Sequence, residues 1–283
     1  VTRRISARRV RVKVVVPAAW ARLRNRLGHR LLIRLTRPIT QVVVDYRAQH
    51  NLPVLTDSSQ AWSPLAQICQ QPPAFEYPRR ELPAWFHFTG PLVDPASRAA
   101  VPFPWHELSG KPLIYASLGT IQNQQLEVFA RIAEACRHLD AQLVIALGGG
   151  SSAADMPPLP GAPLVVDVAP QLDLLQRAAL TITHAGLNTV LESLSCGVPM
   201  VAIPIANDQP GVAARVAWSG CGAVVPIKRA TVARLRSAID RVWGDPSYRQ
   251  NAQRLQQAIS ASGGVARAAD IVEQAIRSGQ PVL

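Results

Sequence analysis

No apolar run in this sequence approaches the roughly 18 residues that a membrane-crossing helix needs, so the chain reads as soluble or at most peripheral. Cysteine is sparse: Cys69, Cys136, Cys196 and Cys221 show no CxxC spacing and sit among apolar or small neighbours. That usage argues against a zinc site or a disulfide frame and fits reduced, buried thiols in a cytoplasmic protein. Acidic residues are missing from residues 1–37, which carry twelve Arg or Lys, while residues 38–283 carry eighteen of each sign. A neutral body argues against a nucleic-acid channel, because such binding is dominated by phosphate neutralisation. The basic arm holds a single aromatic, Trp20, instead of interleaved stacking residues. No small-residue cleavage site follows the short apolar part of "VTRRISARRVRVKVVVP", so a secretory leader is not expected. The G-x-G-x-x-G spacing of a dinucleotide site is absent, and so is any internal repeat of 20–50 residues.

What is present begins with size. A chain of 283 residues that is 48% hydrophobic can bury a sizeable core. In "WARLRNRLGHRLLIRLTRP", Leu23, Leu27, Leu31 and Leu35 recur four apart with arginines between them, which predicts a basic amphipathic helix stopped by Pro38. Either its leucines face a domain core, or residues 20–37 lie on an anionic membrane surface as a peripheral contact. Residues 38–110 are proline-rich, with a helix ending at the Asn51-Leu52-Pro53 turn and a short strand in "AWFHFTGPLVDP". Beyond them the runs "PLIYASLG", "QLVIALG", "PLVVDV", "LTITH", "PMVAIP" and "GAVVPI" are short, β-branched and bounded by Gly or Pro, the pattern of buried strands. Helical stretches are expected at 126–139 and 189–195, and three more within 231–279. Strands alternating with helices predict an α/β fold with a doubly wound parallel sheet that binds ligands beyond the carboxyl ends of its strands. The expected division is a partial N-terminal domain and linker over 1–105 and a Rossmann-like domain over 106–283.

The residues that follow these strands are polar. In "THAGLNTVLES" a strand ends at His184, Gly186 permits a tight turn, and Asn188 or Thr189 opens a helix whose free N–H groups and partial positive charge suit a phosphate. Glu192, one turn further, is placed to accept hydrogen bonds from a ribose diol. The alternative is that Asn188 and Thr189 only cap the helix and His184 is an ordinary end-of-strand residue. "ASLGT" places Ser117 and Thr120 after the first strand of the series, where hydroxyls are also common in plain turns. The run Gly148 to Gly150 reads as a loop rather than a ligand contact. "NDQP" sets Asp208 beside Gln209, matched to adjacent sugar hydroxyls or, alternatively, to a solvated turn.

The ordered combination "VAPQLDLLQRAALTITHAGLNTVLESLSCGVPMVAIPIANDQP" resembles the donor-binding box of nucleoside-diphosphate-sugar glycosyltransferases with the two-Rossmann-domain GT-B architecture. It is most similar to the bacterial branch that includes zeaxanthin and macrolide glycosyltransferases, where "HAGLNT" and "DQPGVAARV" recur. The resemblance runs from about residue 86 to about residue 278. It implies that Gln171 touches the ribose or base, that His184, Gly186, Asn188 and Thr189 hold the diphosphate with Ser117 and Thr120, that Glu192 grips the ribose, and that Asp208 and Gln209 bind the sugar. Val168 stands where plant members carry a tryptophan that stacks on uracil, so that stacking is lost; Leu187 replaces a second tryptophan, which is tolerated if that position contributes mainly its backbone N–H. The implied reaction is transfer of a hexose from a UDP-sugar such as UDP-glucose to a lipophilic alcohol, a carotenoid for instance, with inversion and without a metal or other cofactor. The general base of the family is a histidine early in the N-terminal domain. It is expected upstream of Val1, and none of His29, His50, His87, His106 or His138 has the context for it, so the chain alone is expected to bind donor and turn over poorly. A monomer is expected. Two other readings stand beside this one: a non-catalytic UDP-sugar-binding module recruited to a membrane by its basic helix, and a sugar-nucleotide epimerase, which would need catalytic carboxylates in an interdomain cleft.

Overall fold

The computed structural model describes residues 19–55, 58–79, 81–120 and 126–283. The basic leader-like segment 1–17 lies outside the described residues. The chain divides into two compact units, one ending at Gln67 and one running from Ile68 to Leu283.

The first unit is dominated by one helix, α1 (Ala19–Gln49), 31 residues long with Pro38 inside it. The expected stop at Pro38 does not occur. A proline removes one hydrogen bond and crowds the preceding turn, at a cost of about 3 kcal/mol in a helix interior. Hydroxyls on both sides add local bonds to the same helix: Thr36 Oγ1 donates to Leu32 O at 2.9 Å and Thr40 Oγ1 to Thr36 O at 3.2 Å. The helix ends where Asn51 takes a left-handed conformation before Pro53. Its leucines are exposed, Leu27 at 55% and Leu35 at 67%.

The second unit opens with a two-stranded sheet, β1 (Gln67–Cys69) and β2 (Phe86–Phe88). A six-stranded sheet follows, built from β3 (Leu113–Ser117), β4 (Gln142–Ala146), β5 (Leu164–Val166), β6 (Ala178–Thr183), β7 (Met200–Ala202) and β8 (Gly222–Val224). Its order is β5-β4-β3-β6-β7-β8 and every pairing is parallel, which is the doubly wound pattern expected. The helices are α2 (Leu126–Cys136), α3 (Gln171–Arg177), α4 (Leu187–Ser195), α5 (Gln209–Ser219), α6 (Val232–Gly244), α7 (Pro246–Ser260) and α8 (Gly264–Ser278).

Alternate side chains of a strand point to opposite faces, so a strand covered on both sides must be apolar throughout. All five residues of β3 are accordingly buried. Ile114 and Ala116 pack with Phe129 and Ile132 of α2 and Leu235 and Ile239 of α6. Leu113 and Tyr115 point the other way, onto Leu174 and Leu175 of α3. A third cluster joins Leu191 of α4, Val212 and Val216 of α5 and Leu255 of α7 over Met200 and Ala202. The four cysteines are free; Cys136 and Cys221 are buried and Cys69 and Cys196 half-buried. Burial pushes the Cys136 and Cys221 thiols up to about 12, which leaves them un-ionised at neutral pH.

Sequence reasoning passed over α3 and α5. Both begin at a proline, Pro170 before α3 and Pro210 in the first turn of α5, and proline there is compatible with a helix because the first turn has no N–H acceptor to lose. Helix α4 opens at Leu187, two residues before the expected Thr189.

Candidate donor site

Sheet order reverses between β3 and β6, so the chain leaves those two neighbouring strands toward opposite sides and opens a crevice at their carboxyl ends. A cavity of about 480 Å³ occupies this place. Nine of the ten expected residues line it: Ser117, Thr120, Gln171, His184, Gly186, Asn188, Thr189, Asp208 and Gln209. Gln70, Gly119, Leu187 and Asn207 complete the wall.

The imidazole of His184 is fixed by what is missing around it. A Cβ on Gly186 would lie 2.4 Å from His184 Nε2, and one on Gly119 would lie 2.7 Å from both Nε2 and Cε1. The two glycines therefore form a slot for the ring. Gly119 also sits at φ +83, in the left-handed region that glycine occupies freely. Between the strand end and Gly186, Ala185 takes φ 66, an uncommon conformation for a residue with a side chain, and it is held there fully buried. Its N–H donates to Thr183 Oγ1 at 3.3 Å. Burial lowers the affinity of His184 for a proton below its ordinary value, and the Asp208 carboxylate offsets this only in part. The ring is thus neutral at pH 7, with Nδ1 buried and without a hydrogen-bond partner among the described residues.

Helix α4 starts beside that ring. Its N-cap is Gly186, and no side chain caps it. Asn188 and Thr189 therefore do not serve as caps, and Leu187, Asn188 and Thr189 line the cavity at the positive end of the helix dipole. On the opposite wall, Gln209 Oε1 accepts from Ile205 N at 2.8 Å and Ala206 N at 2.9 Å. That pair of bonds fixes the turn after β7, in which Asn207 adopts φ 56.

Glu192 is placed differently. Its side chain is 2% exposed and lines neither this cavity nor its neighbour. Gln171 Nε2 donates to Glu192 Oε2 at 2.6 Å, Arg98 Nη2 pairs with Glu192 Oε1, and Tyr115 OH donates to Gln171 Oε1 at 3.1 Å. Gln171 joins the first cavity to a second of about 850 Å³ that Arg98, Trp105 and Ala169 also line. The run Gly148 to Gly150 forms a turn after β4 away from both walls. Val168, where stacking was expected to be lost, is half exposed after β5.

Gln70 and Arg98 carried no motif that spacing could reveal, whereas Gly119 lies within the "ASLGT" run at the end of β3. Of the histidines left unassigned, His87 Nε2 lies 3.1 Å from Val282 O and His138 Nε2 lies 2.7 Å from Asp240 Oδ1. Among the described residues no group of three or more His, Cys, Asp or Glu could hold a metal ion.

A switch-point sheet with an uncapped helix, a neutral imidazole and paired amide and carboxylate groups at its crevice is an α/β domain of the doubly wound class. The chain belongs to the UDP-glucoronosyl and UDP-glucosyl transferase family, whose model matches residues 36–260. It is 35% identical over 268 residues to the zeaxanthin glucosyltransferase of Pantoea ananas, covering 93% of this chain and 61% of that protein. Over 263 residues it is 36% identical to the zeaxanthin glucosyltransferase of Pseudescherichia vulneris, covering 92% and 62%. Among solved structures, the glycotransferase of kitacinnamycin superposes with a TM-score of 0.76 at 28% identity, covering 89% of this chain and 66% of that one. The fold is of the GT-B glycosyltransferase type. The chain spans about three fifths of the length of the curated relatives it matches.

Proposed function

We propose that this chain carries the donor-binding half of an inverting glycosyltransferase, which moves a hexose from a UDP-sugar, UDP-glucose first, to a hydroxyl of a lipophilic acceptor such as a carotenoid. The observation that carries the reading is the convergence of nine expected residues, from loops after separate strands, on one cavity at the uncapped start of α4. In this reading residues 106–283 bind the donor and residues 1–105 belong to the acceptor side. The zeaxanthin substrate named for the two relatives supports the acceptor class.

The chemistry follows from the wall. The diphosphate sits against the free N–H groups of α4, the hydroxyls of Ser117 and Thr120, and an N–H of the neutral His184. Asp208 accepts from sugar hydroxyls while Gln209, its carbonyl already engaged, donates from Nε2. As the anomeric bond breaks, negative charge grows on the departing diphosphate, and preoriented amides and the imidazole stabilise it without a metal. An acceptor hydroxyl attacks from the opposite face, which inverts the anomeric carbon and requires a general base. No residue of this chain is assigned that role.

A second reading, a cytoplasmic monomeric UDP-sugar-binding module held at a membrane, draws on the solvent-facing leucines of α1 interleaved with arginines. No helix among the described residues is long and apolar enough to cross a membrane, so such contact would be peripheral. Sedimentation with anionic vesicles that is weakened by Leu27→Asp supports it, and sedimentation that Leu27→Asp leaves unchanged opposes it.

Calorimetry of the chain with UDP in the presence of a chelator tests the main reading. UDP binding weakened about tenfold or more by His184→Ala with Asn188→Ala is the expected result. No UDP binding, or binding that ignores both substitutions, overturns it.

A further inference from the structure

Glu192 presents a problem of access. Its carboxylate is 2% exposed, and a charge so deep is stable only with partners. Gln171 supplies one and cannot turn away easily, because Tyr115 OH holds the far end of its amide and Tyr115 is itself buried. Arg98 supplies the other from the opposite direction. It sits on an irregular stretch whose only regular piece before β3 is a pair of short 3-10 turns, Pro95–Ser97 and Trp105–Glu107. Arg98 is 44% exposed and lines the 850 Å³ cavity. Of the two partners, Gln171 is anchored by a further hydrogen bond and Arg98 is the more exposed.

We propose that Arg98 sets the affinity of the site for its nucleotide: it holds the Glu192 carboxylate in the empty protein, and a ribose diol must displace it to bind there. This rests on the donor reading above. An ion pair that must open before a ligand binds lowers the apparent affinity by the fraction of molecules in which it is open. The same pair holds Glu192 oriented until the diol, a neutral double donor, takes over the oxygen that Arg98 releases. A ligand that ends at the diphosphate never reaches Glu192 and is indifferent to Arg98. The prediction is therefore selective for nucleotides that carry a ribose.

Calorimetry of the 283-residue chain with UDP and with inorganic pyrophosphate separates the possibilities. In Arg98→Met the affinity for UDP rises about tenfold while that for pyrophosphate stays within about twofold of the original. In a Glu192→Gln background, where no carboxylate remains to be held, adding Arg98→Met leaves UDP affinity unchanged; this pair also avoids an unpaired buried charge should the single variant fold poorly. UDP affinity that is unchanged or weaker in folded Arg98→Met, or an Arg98 effect that survives Glu192→Gln, overturns the proposal and leaves the donor reading intact. If the unaltered chain binds neither UDP nor pyrophosphate, the donor reading falls and takes this proposal with it.

Discussion

His184 occupies a slot that only two glycines leave open, and the consequence is local and specific. Gly186 has φ −62, a conformation any residue adopts, so Gly186→Ala adds no backbone strain and acts only by pushing the ring. The expected outcome is a chain that still folds but binds UDP about tenfold more weakly, measured by calorimetry. At Gly119 the same substitution adds the cost of a left-handed alanine, on the order of 1–2 kcal/mol, and lowers the unfolding midpoint as well. Proton linkage gives a second test on the same ring. Burial depresses the folded-state value of His184 from its ordinary 6.5, so the unfolded chain binds the proton more readily. The associated stability is full above that ordinary value and is lost as pH falls through the depressed one. Urea unfolding from about pH 8 to about pH 5 is therefore expected to cost the unaltered chain more stability than His184→Gln, and an equal loss would contradict the neutral buried ring. At this scale the sequence disclosed residue types and order well: "THAGLNT" and "NDQP" hold six of the nine expected wall residues, and the ordered resemblance added Ser117, Thr120 and Gln171. It disclosed nothing of the slot itself, because the clash that makes Gly119 necessary is with a side chain 65 positions away.

Elements carry the site only as far as their ends are fixed. Helix α4 is useful because Gly186 leaves its first turn uncapped, and α5 is useful because Gln209 pins the turn before it. Gln209→Ala would strand the N–H groups of Ile205 and Ala206 without an acceptor. Leaving half-buried donors unsatisfied costs about 1–3 kcal/mol, so a lower urea midpoint is expected together with weaker binding of UDP-glucose than of UDP. A variant as stable as the parent would show that the lock is not needed. Strands were legible because both faces of a doubly wound sheet are buried and the runs stay apolar throughout. Helices α3 and α5 were not, since a proline stands at the start of each, Pro170 at the N-cap of α3 and Pro210 in the first turn of α5. Pro38 misled in the same way, in the middle of α1. The hidden carboxylate of Glu192 was equally out of reach, because its partner Arg98 lies 94 residues away in a stretch with no periodicity.

At the scale of the molecule, charge and fold divide the chain. The basic residues crowd into the first 37 positions, and the doubly wound unit that follows is neutral in balance, so the candidate site does not depend on a general positive field to attract a diphosphate. In the proposed reading the attraction is local, from a helix end, an imidazole and backbone amides, and this makes it testable amide by amide. Hydrogen exchange of the chain with and without UDP, read by mass spectrometry at peptides covering residues 185–191, addresses this claim most directly. The account predicts slower exchange at the first turn of α4 when UDP is added, abolished by His184→Ala with Asn188→Ala. Exchange at that turn unaffected by saturating UDP would contradict it.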